Sequence, residues 1–270
     1  MDRIDHASSE LRGMDDLAAL SSPIHSIHPL AKLIVTIAYI LLTVSFHKYD
    51  LTGLIVMVLY PVIVYSLSGI PVRTCFYKLR IVLPLVCAVG LFNPFFDRTP
   101  LMSIGSIAVS GGVISMITLM LKGVFCLMAS FILVATTSID TICAALRKIH
   151  VPAMIVTLLL LTYRYIFVMI DEVSVMTTAY KLRAPGQKGI HYSAWGSFLG
   201  QLLLRSMDRA EDLYSSMLLR GFYGTFRYAD MRPAKLKDYM YTVSVIGILL
   251  LCRLVNIAAL FGGLAMGGSL

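Results

Sequence analysis

VISMITLMLKGVFCLMASFILVA, residues 113–135, is the stretch on which the fold turns. Lys122 is its one ionisable side chain apart from Cys126, and the rest is apolar or small. At 1.5 Å rise per residue, about 20 such residues cross the roughly 30 Å of bilayer hydrocarbon. Apolar runs of similar character lie on either side: Leu30–Phe46, Leu51–Ser68, Ile81–Phe96, Val151–Ile170 and Tyr239–Phe261. Short polar breaks separate them, at His47–Lys48–Tyr49–Asp50, Ser68–Gly69–Ile70–Pro71 and Asp97–Arg98–Thr99–Pro100. These read as the loops of a helical bundle, because backbone in lipid must satisfy its own hydrogen bonds. There is no strand alternation long enough for a barrel, and no internal repeat. Composition agrees: the 270 residues are 58% hydrophobic and 14% charged, with a mean hydropathy of +0.81, whereas soluble domains carry about 25% charge. A disordered chain, a coiled coil and a basic nucleic-acid binder are excluded, despite a formal charge of +8. The expected class is an all-α integral membrane protein of about five transmembrane helices, with a cytoplasmic region of long amphipathic helices and no nucleic-acid partner.

Charge gives the orientation, because short cytoplasmic loops collect Lys and Arg. Arg3, Arg12 and Lys32 mark the N-terminal segment, and Arg73, Lys78 and Arg80 the loop after the second run; the intervening loops carry only Lys48 and Arg98. Residues 136–238 hold thirteen of the 23 basic residues against eight acidic ones. We therefore expect a cytoplasmic N-terminal segment at 1–29, a four-helix transmembrane part at 30–135, a cytoplasmic region at 136–238, and a final transmembrane helix with an external tail at 239–270. The cell membrane is the expected location, with the N-terminus inside. Met1–Ser22 is polar and acidic and lacks the apolar core of a signal peptide.

The region 136–238 is unusual for a loop. Val151–Ile170 is as apolar as a span, yet Arg164, Asp171 and Glu172 interrupt its course. At helical spacing, Leu159, Thr162, Ile166, Met169, Val173, Met176 and Tyr180 form one stripe, and the next step is Arg183. Leu199, Leu203, Met207, Ala210, Tyr214 and Met217 form a second, with Arg205, Asp208, Arg209 and Asp212 on the other face. Such stripes suit two long amphipathic helices packed together, with the polarisable Met169, Met176, Met207 and Met217 giving adaptable contact. Both helices stop at a basic residue and a breaker, in Lys181–Leu182–Arg183–Ala184–Pro185–Gly186 and in Leu218–Leu219–Arg220–Gly221–Phe222–Tyr223–Gly224. Cations in a last turn and Gly or Pro beyond it are ordinary helix-end features. Their duplication, 37 positions apart, points to function.

Several stretches resemble one family. They are Pro29–Leu30–Ala31–Lys32–Leu33; Thr136–Thr137–Ser138 with Asp140; Leu146–Arg147–Lys148–Ile149–His150–Val151–Pro152; Tyr163–Arg164–Tyr165 with Asp171–Glu172; and, most specifically, the run from Arg209 to Gly224. Across most of residues 29–228 the chain resembles the transmembrane T component of energy-coupling-factor (ECF) transporters, the EcfT/CbiQ family. The resemblance implies a subunit that ties a small substrate-binding membrane protein to two ABC-type ATPases, through coupling helices ending in Ala-Arg-Gly-like motifs. Those motifs fall here on Leu182–Arg183–Ala184 and Leu219–Arg220–Gly221. Leu replaces the first Ala in both, and Ala184 replaces the Gly of the first. The arginines suit docking, since a guanidinium grips a carboxylate with two donors and stays charged when desolvated. Ala210 and Tyr214, with the methionines named above, fall to coupling-helix packing. The family further implies no cofactor on this chain, with ATP and magnesium on the ATPases. Cobalt is the implied cargo, because Ile4–Asp5–His6–Ala7 resembles the cobalt type; nickel or a vitamin is the alternative. A small accessory membrane subunit accompanies some such assemblies.

Other classes were weighed against this one. No Gly-x-x-x-x-Gly-Lys-Ser/Thr phosphate loop occurs, so the chain is not expected to be an enzyme that binds ATP. A membrane-embedded metal-dependent hydrolase finds support only in His25–Ser26–Ile27–His28, which Pro23 and Pro29 bracket. A secondary transporter needs ionisable residues within the membrane, and Lys122 and Arg253 read as isolated cations with no buried carboxylate. Cys75, Cys87, Cys126, Cys143 and Cys252 form no C-x-x-C pair and read as small buried apolar groups.

Overall fold

A computed structural model describes residues 13, 16–18, 20, 22–48, 50–70, 75, 80, 82–84, 86–91, 100–104, 107–187, 189–224, 233 and 235–254. Ile4–Asp5–His6–Ala7, Arg73, Lys78, Arg98, Lys188 and Gly262–Leu270 lie outside the described residues. The helices are α1 (Pro29–Val44), α2 (Leu51–Val56), α3 (Leu59–Ser68), α4 (Gly111–Thr136), α5 (Ile139–Lys148), α6 (Ala153–Arg183), α7 (Trp195–Leu219) and α8 (Leu236–Leu254), with a short apolar helix at Val82–Leu91. Among the described residues the fold is all-α apart from one antiparallel hairpin, β1 (Pro100–Ile104) and β2 (Ile107–Ser110), ahead of α4. The hairpin is too short to register as a strand pattern in the sequence. Among the described residues two helices, α4 and α6, are long and apolar enough to cross a membrane. α6 takes up most of the apolar run at 151–170 and continues as one helix to Arg183.

The chain forms two compact units. One comprises Leu17–Ser138 and Arg232–Leu270. In it α1 packs on α4 and α8, and α2 and α3 on α4. Tyr39, Leu54, Met57, Phe125 and Leu249 fill one apolar cluster; Val64, Tyr65, Met128 and Ile132 fill another. Gly123 of α4 is a point of close approach: a Cβ there would lie 2.6 Å from the Val86 side chain, in line with small residues where membrane helices touch.

The run Leu51–Ser68 is two helices rather than one, and Pro61 explains the break. It has no N–H to offer the carbonyl of Met57, four residues back. That carbonyl instead accepts the buried Tyr39 hydroxyl at 3.0 Å, and Tyr39 stacks on Tyr60 with ring centroids 4.6 Å apart.

Several charged side chains bind the ends of helices. Lys32 is buried, and its Nζ donates to the Thr136 carbonyl at 2.7 Å and to Thr137 Oγ1 at 3.2 Å, closing the last turn of α4. Asp238 accepts the His28 N–H at 3.0 Å and the Lys235 N–H at 2.9 Å. The starts of α1 and α8 and the end of α4 are thus tied at one end of this unit. Lys122 and Arg253 are not isolated either. Lys122 Nζ donates to the carbonyls of Val44 and Phe46. Arg253 donates to the Ser45 carbonyl at 3.0 Å, lies 4.3 Å from the Phe46 ring centroid and reaches the Asp50 carboxylate at 4.0 Å. Both cations meet the negative C-terminal end of α1.

The second unit comprises Met1–Asp16 and Ile139–Met231. There α5 packs on α6 through Cys143, Val156 and Leu160. Burial pushes the Cys143 thiol up, with Asp140 adding to the effect, which keeps it an unreactive apolar group. The turn from α5 to α6 places His150 at φ 67°. Its N–H donates to the Arg147 carbonyl at 3.2 Å and the Val151 N–H to the Leu146 carbonyl at 3.3 Å. This is the doubly bonded left-handed helix end that glycine usually serves.

Candidate docking site on two helix ends

Both ends singled out by sequence lie in the second unit, and they stop by different means. At the end of α7, Arg220 is the capping residue and Gly221 takes φ 78°. The Gly221 N–H donates to the Leu218 carbonyl at 2.9 Å and the Phe222 N–H to the Met217 carbonyl at 3.0 Å, so the left-handed glycine turns the chain away just beyond the arginine. At the end of α6, Ala184 sits at φ −125° and its N–H bonds the Tyr180 carbonyl at 3.0 Å. Alanine avoids the left-handed region, and the first positive φ comes two residues later at Gly186. The Tyr180 hydroxyl then holds the following segment, donating to Gln187 Oε1 at 3.2 Å and accepting the His191 N–H at 3.2 Å.

The side chains at the two ends stand alike. Arg183 and Arg220 are exposed and Ala184 is partly buried, while Leu182 and Leu219 are 78% and 89% exposed. Lys181 and Arg183 occupy the last turn of α6, where cations complement the helix dipole.

Between α6 and α7 the contact is polar. The Glu172 carboxylate receives Arg205 on one oxygen and Arg209, at 3.7 Å, on the other. Positions 205 and 209 share one helical face, so a single carboxylate of α6 engages two arginines of α7. They border a cleft of about 600 Å³ that Tyr165, Asp212, Met217 and Arg220 also line. Arg164 reaches Asp140 of α5 at 4.0 Å, joining two stretches that the sequence singled out separately.

The stripe residues are placed unevenly. Met169, Met176 and Met217 are partly buried, whereas Met207, Ala210 and Tyr214 are exposed. At those three positions the stripe of α7 is not its α6-facing side, because the arginine face has that place. The i, i+4 spacing of Arg205 and Arg209 puts them on one face, but spacing does not name Glu172 as their partner.

His25 and His28 are both engaged in local hydrogen bonds. Residues 23–26 are a turn rather than a helix. His25 Nδ1 pairs with Ser22 Oγ at 2.6 Å and Nε2 with the Leu17 carbonyl at 3.0 Å, while His28 Nδ1 accepts the Leu30 N–H at 3.2 Å. Among the described residues no three His, Cys, Asp or Glu side chains are grouped to hold a metal ion.

Comparison with known proteins places this architecture. The family model CbiQ, described as cobalt transport protein, matches residues 20–229. The chain is similar to the cobalt transport protein CbiQ of Rhodobacter capsulatus, 33% identical over 105 residues, 38% of this chain and 42% of that protein. It is similar to the nickel permease LarQ of Lactiplantibacillus plantarum, 27% identical over 105 residues, 39% of this chain and 38% of that protein. It is also 27% identical over 242 residues to the energy-coupling factor transporter transmembrane protein EcfT of Lactococcus lactis, covering 83% of this chain and 90% of that one. The matches to the first two relatives thus span less than half of their own length. With a family model over most of its length, an all-α membrane architecture and relatives named as transporter components, the chain belongs to the CbiQ cobalt transport protein family, a family of transporter membrane components and not of known enzymes.

Proposed function

We propose that this chain is the coupling subunit of an ATP-driven importer for cobalt ion. Two ABC-type ATPases dock on Leu182–Arg183–Ala184 and Leu219–Arg220–Gly221, hydrolyse magnesium-bound ATP in their own sites, and move the arms formed by α6 and α7. The arms in turn move a separate cobalt-binding membrane subunit, with or without a small accessory one. The chain itself holds no cofactor. It lies in a bacterial or archaeal cell membrane with its N-terminal segment inside. The observation that carries the reading is the pair of exposed arginines at two helix ends, each flanked by an exposed leucine. Such a guanidinium can fork onto a partner's carboxylate. Cargo is assigned from the family description and from the relative named for cobalt; the relative named for nickel makes that ion the second candidate.

The test is uptake of radioactive cobalt by cells expressing the whole transporter. Uptake should require this chain and fall to background when Arg183 and Arg220 are both Ala, with the mutant chain still in the membrane and its ATPases lost from the purified complex. Truncating one partner of a buried charge pair costs about 2–5 kcal/mol, which is at least thirtyfold in affinity. Nickel uptake in place of cobalt would reassign the cargo. Uptake that persists with the ATPases deleted would mean a secondary transporter.

A further inference from the structure

Between α3 and α8 the first unit has an apolar groove of about 320 Å³. Its floor is buried, at Ile24, Val64 and Leu249, whereas its rims, Leu59, Ile63 and Leu67 on α3 and Ile248 on α8, are about half exposed. On α8 the lining runs from Tyr241 through Val245 and Ile248 to Cys252, which at 1.5 Å rise per residue makes the groove about 16 Å long. That is about half of the roughly 30 Å of bilayer hydrocarbon, the depth of one leaflet. The two ends differ. Towards Cys252 the lining is apolar, and the neighbouring Arg253 is turned onto the Ser45 carbonyl and Asp50. At the other end Pro23 opens the groove onto a polar hollow that Ser22, His25 and Ser26 also line. The bond from the His28 N–H to Asp238 holds this segment beside the start of α8. One turn before Tyr241, on the same side of α8, stands the exposed Lys237. Its acidic neighbour Asp238 is buried, and the carboxylate oxygens accept the His28 and Lys235 N–H groups, so that charge is spent inside the fold. Tyr239 and Tyr241 stand at the same level, as tyrosines do where a membrane meets water.

We propose that this groove seats one acyl chain of a phospholipid with an anionic headgroup, whose phosphate is held by Lys237 at the mouth. Length, polarity and charge agree: the groove is one leaflet deep, apolar along its course, and basic at the end that opens onto the polar hollow. A helix of a partner subunit fits less well. At about 10 Å across it takes up roughly 1,200 Å³ over that length, nearly four times what the groove offers, so it would lie on the rims and not between them. In the orientation proposed above, the lipid belongs to the cytoplasmic leaflet.

The experiment places the full chain in vesicles of phosphatidylcholine and phosphatidylglycerol in equal parts, with a trace of either lipid carrying a photoreactive diazirine on its acyl chain. Labelled residues, found by mass spectrometry, should concentrate in the groove at Ile63, Leu67, Val245 and Ile248. Val62 of α3 and Val243 of α8, exposed outside the groove, should be labelled far less. Val245→Trp fills the groove and should remove labelling at Ile248 while leaving that at Val62. In the parent the phosphatidylglycerol probe should label the groove in preference to the phosphatidylcholine probe. Lys237→Gln should cut that preference about fivefold, as one lysine is worth about 1 kcal/mol at an anionic surface, and Lys237→Arg should keep it. Labelling as strong at Val62 and Val243 as in the groove would mean bulk lipid only and overturn the site. Equal labelling by the two probes, or a preference that survives Lys237→Gln, would overturn the headgroup contact. Groove labelling that vanishes when the partner membrane subunits are co-expressed would assign the groove to a protein and overturn the proposal.

Discussion

Gly221 and His150 occupy the same position in two helix ends of the same geometry, so exchanging their residue types should move stability in opposite directions. Gly221 has φ 78° and His150 φ 67°, and in both the following N–H closes back onto the third residue before the cap. Nothing lies within 4 Å of a Cβ built on Gly221, so Gly221→Ala meets no clash and its cost is purely conformational. An L-residue in the left-handed region loses about 1–2 kcal/mol, which converts to roughly five- to thirtyfold easier opening of the last turn of α7. Asn tolerates that region better than Ala, so Gly221→Asn should fall between. His150→Gly relieves strain and should gain up to about 1 kcal/mol, less the backbone entropy glycine loses. Ala184→Gly should gain nothing, because φ is −125° there. Amide hydrogen exchange reads these openings directly: the N–H groups of Gly221 and Phe222 speed up in the first variant, and those of His150 and Val151 slow down in the third. Equal exchange at Phe222 in Gly221→Ala, Gly221→Asn and the parent would refute the claim that a left-handed residue terminates this helix.

Two further results follow from single contacts. Tyr39→Phe should lower stability in detergent by about 1–3 kcal/mol, because the buried Met57 carbonyl loses its donor. Pro61→Ala in that background should recover part of the loss by restoring an N–H four residues on, and thermal unfolding of the four variants checks the cycle. Glu172→Gln combined with Arg205→Gln should show a coupling of only about 0.5–1 kcal/mol, because Arg205 is 46% and Glu172 16% exposed. That coupling should shrink as salt is raised from 0.1 to 1 M, where the screening length falls from about 10 to about 3 Å; a salt-independent value would mean that the pair acts through packing.

What could be read from sequence, and what could not, divides by the range of the interaction involved. Helix-forming runs and helix ends are local, and α1, α4 and the stops after Arg183 and Arg220 lie where apolar length, Pro and Gly put them. The break within Leu51–Ser68 was equally local, since Pro61 stood in plain view, but a proline near the start of a helix is tolerated and only the tertiary contact of Tyr39 makes the interruption stable. Charge was less legible, because a count of cations does not say which bonds each one makes. Lys32 closes the end of α4, Lys122 and Arg253 close the end of α1, and none of these bonds has a signature in spacing. The stripes of 136–238 are placed unevenly for a related reason. Periodicity identifies the apolar face of an amphipathic helix but does not say what covers it. In an isolated soluble protein the apolar face turns inward by default; in a subunit built to be gripped by others, the charged face can make the internal contact and leave the apolar one outward. Arg205 and Arg209 on Glu172, with Met207 and Tyr214 exposed, have that arrangement.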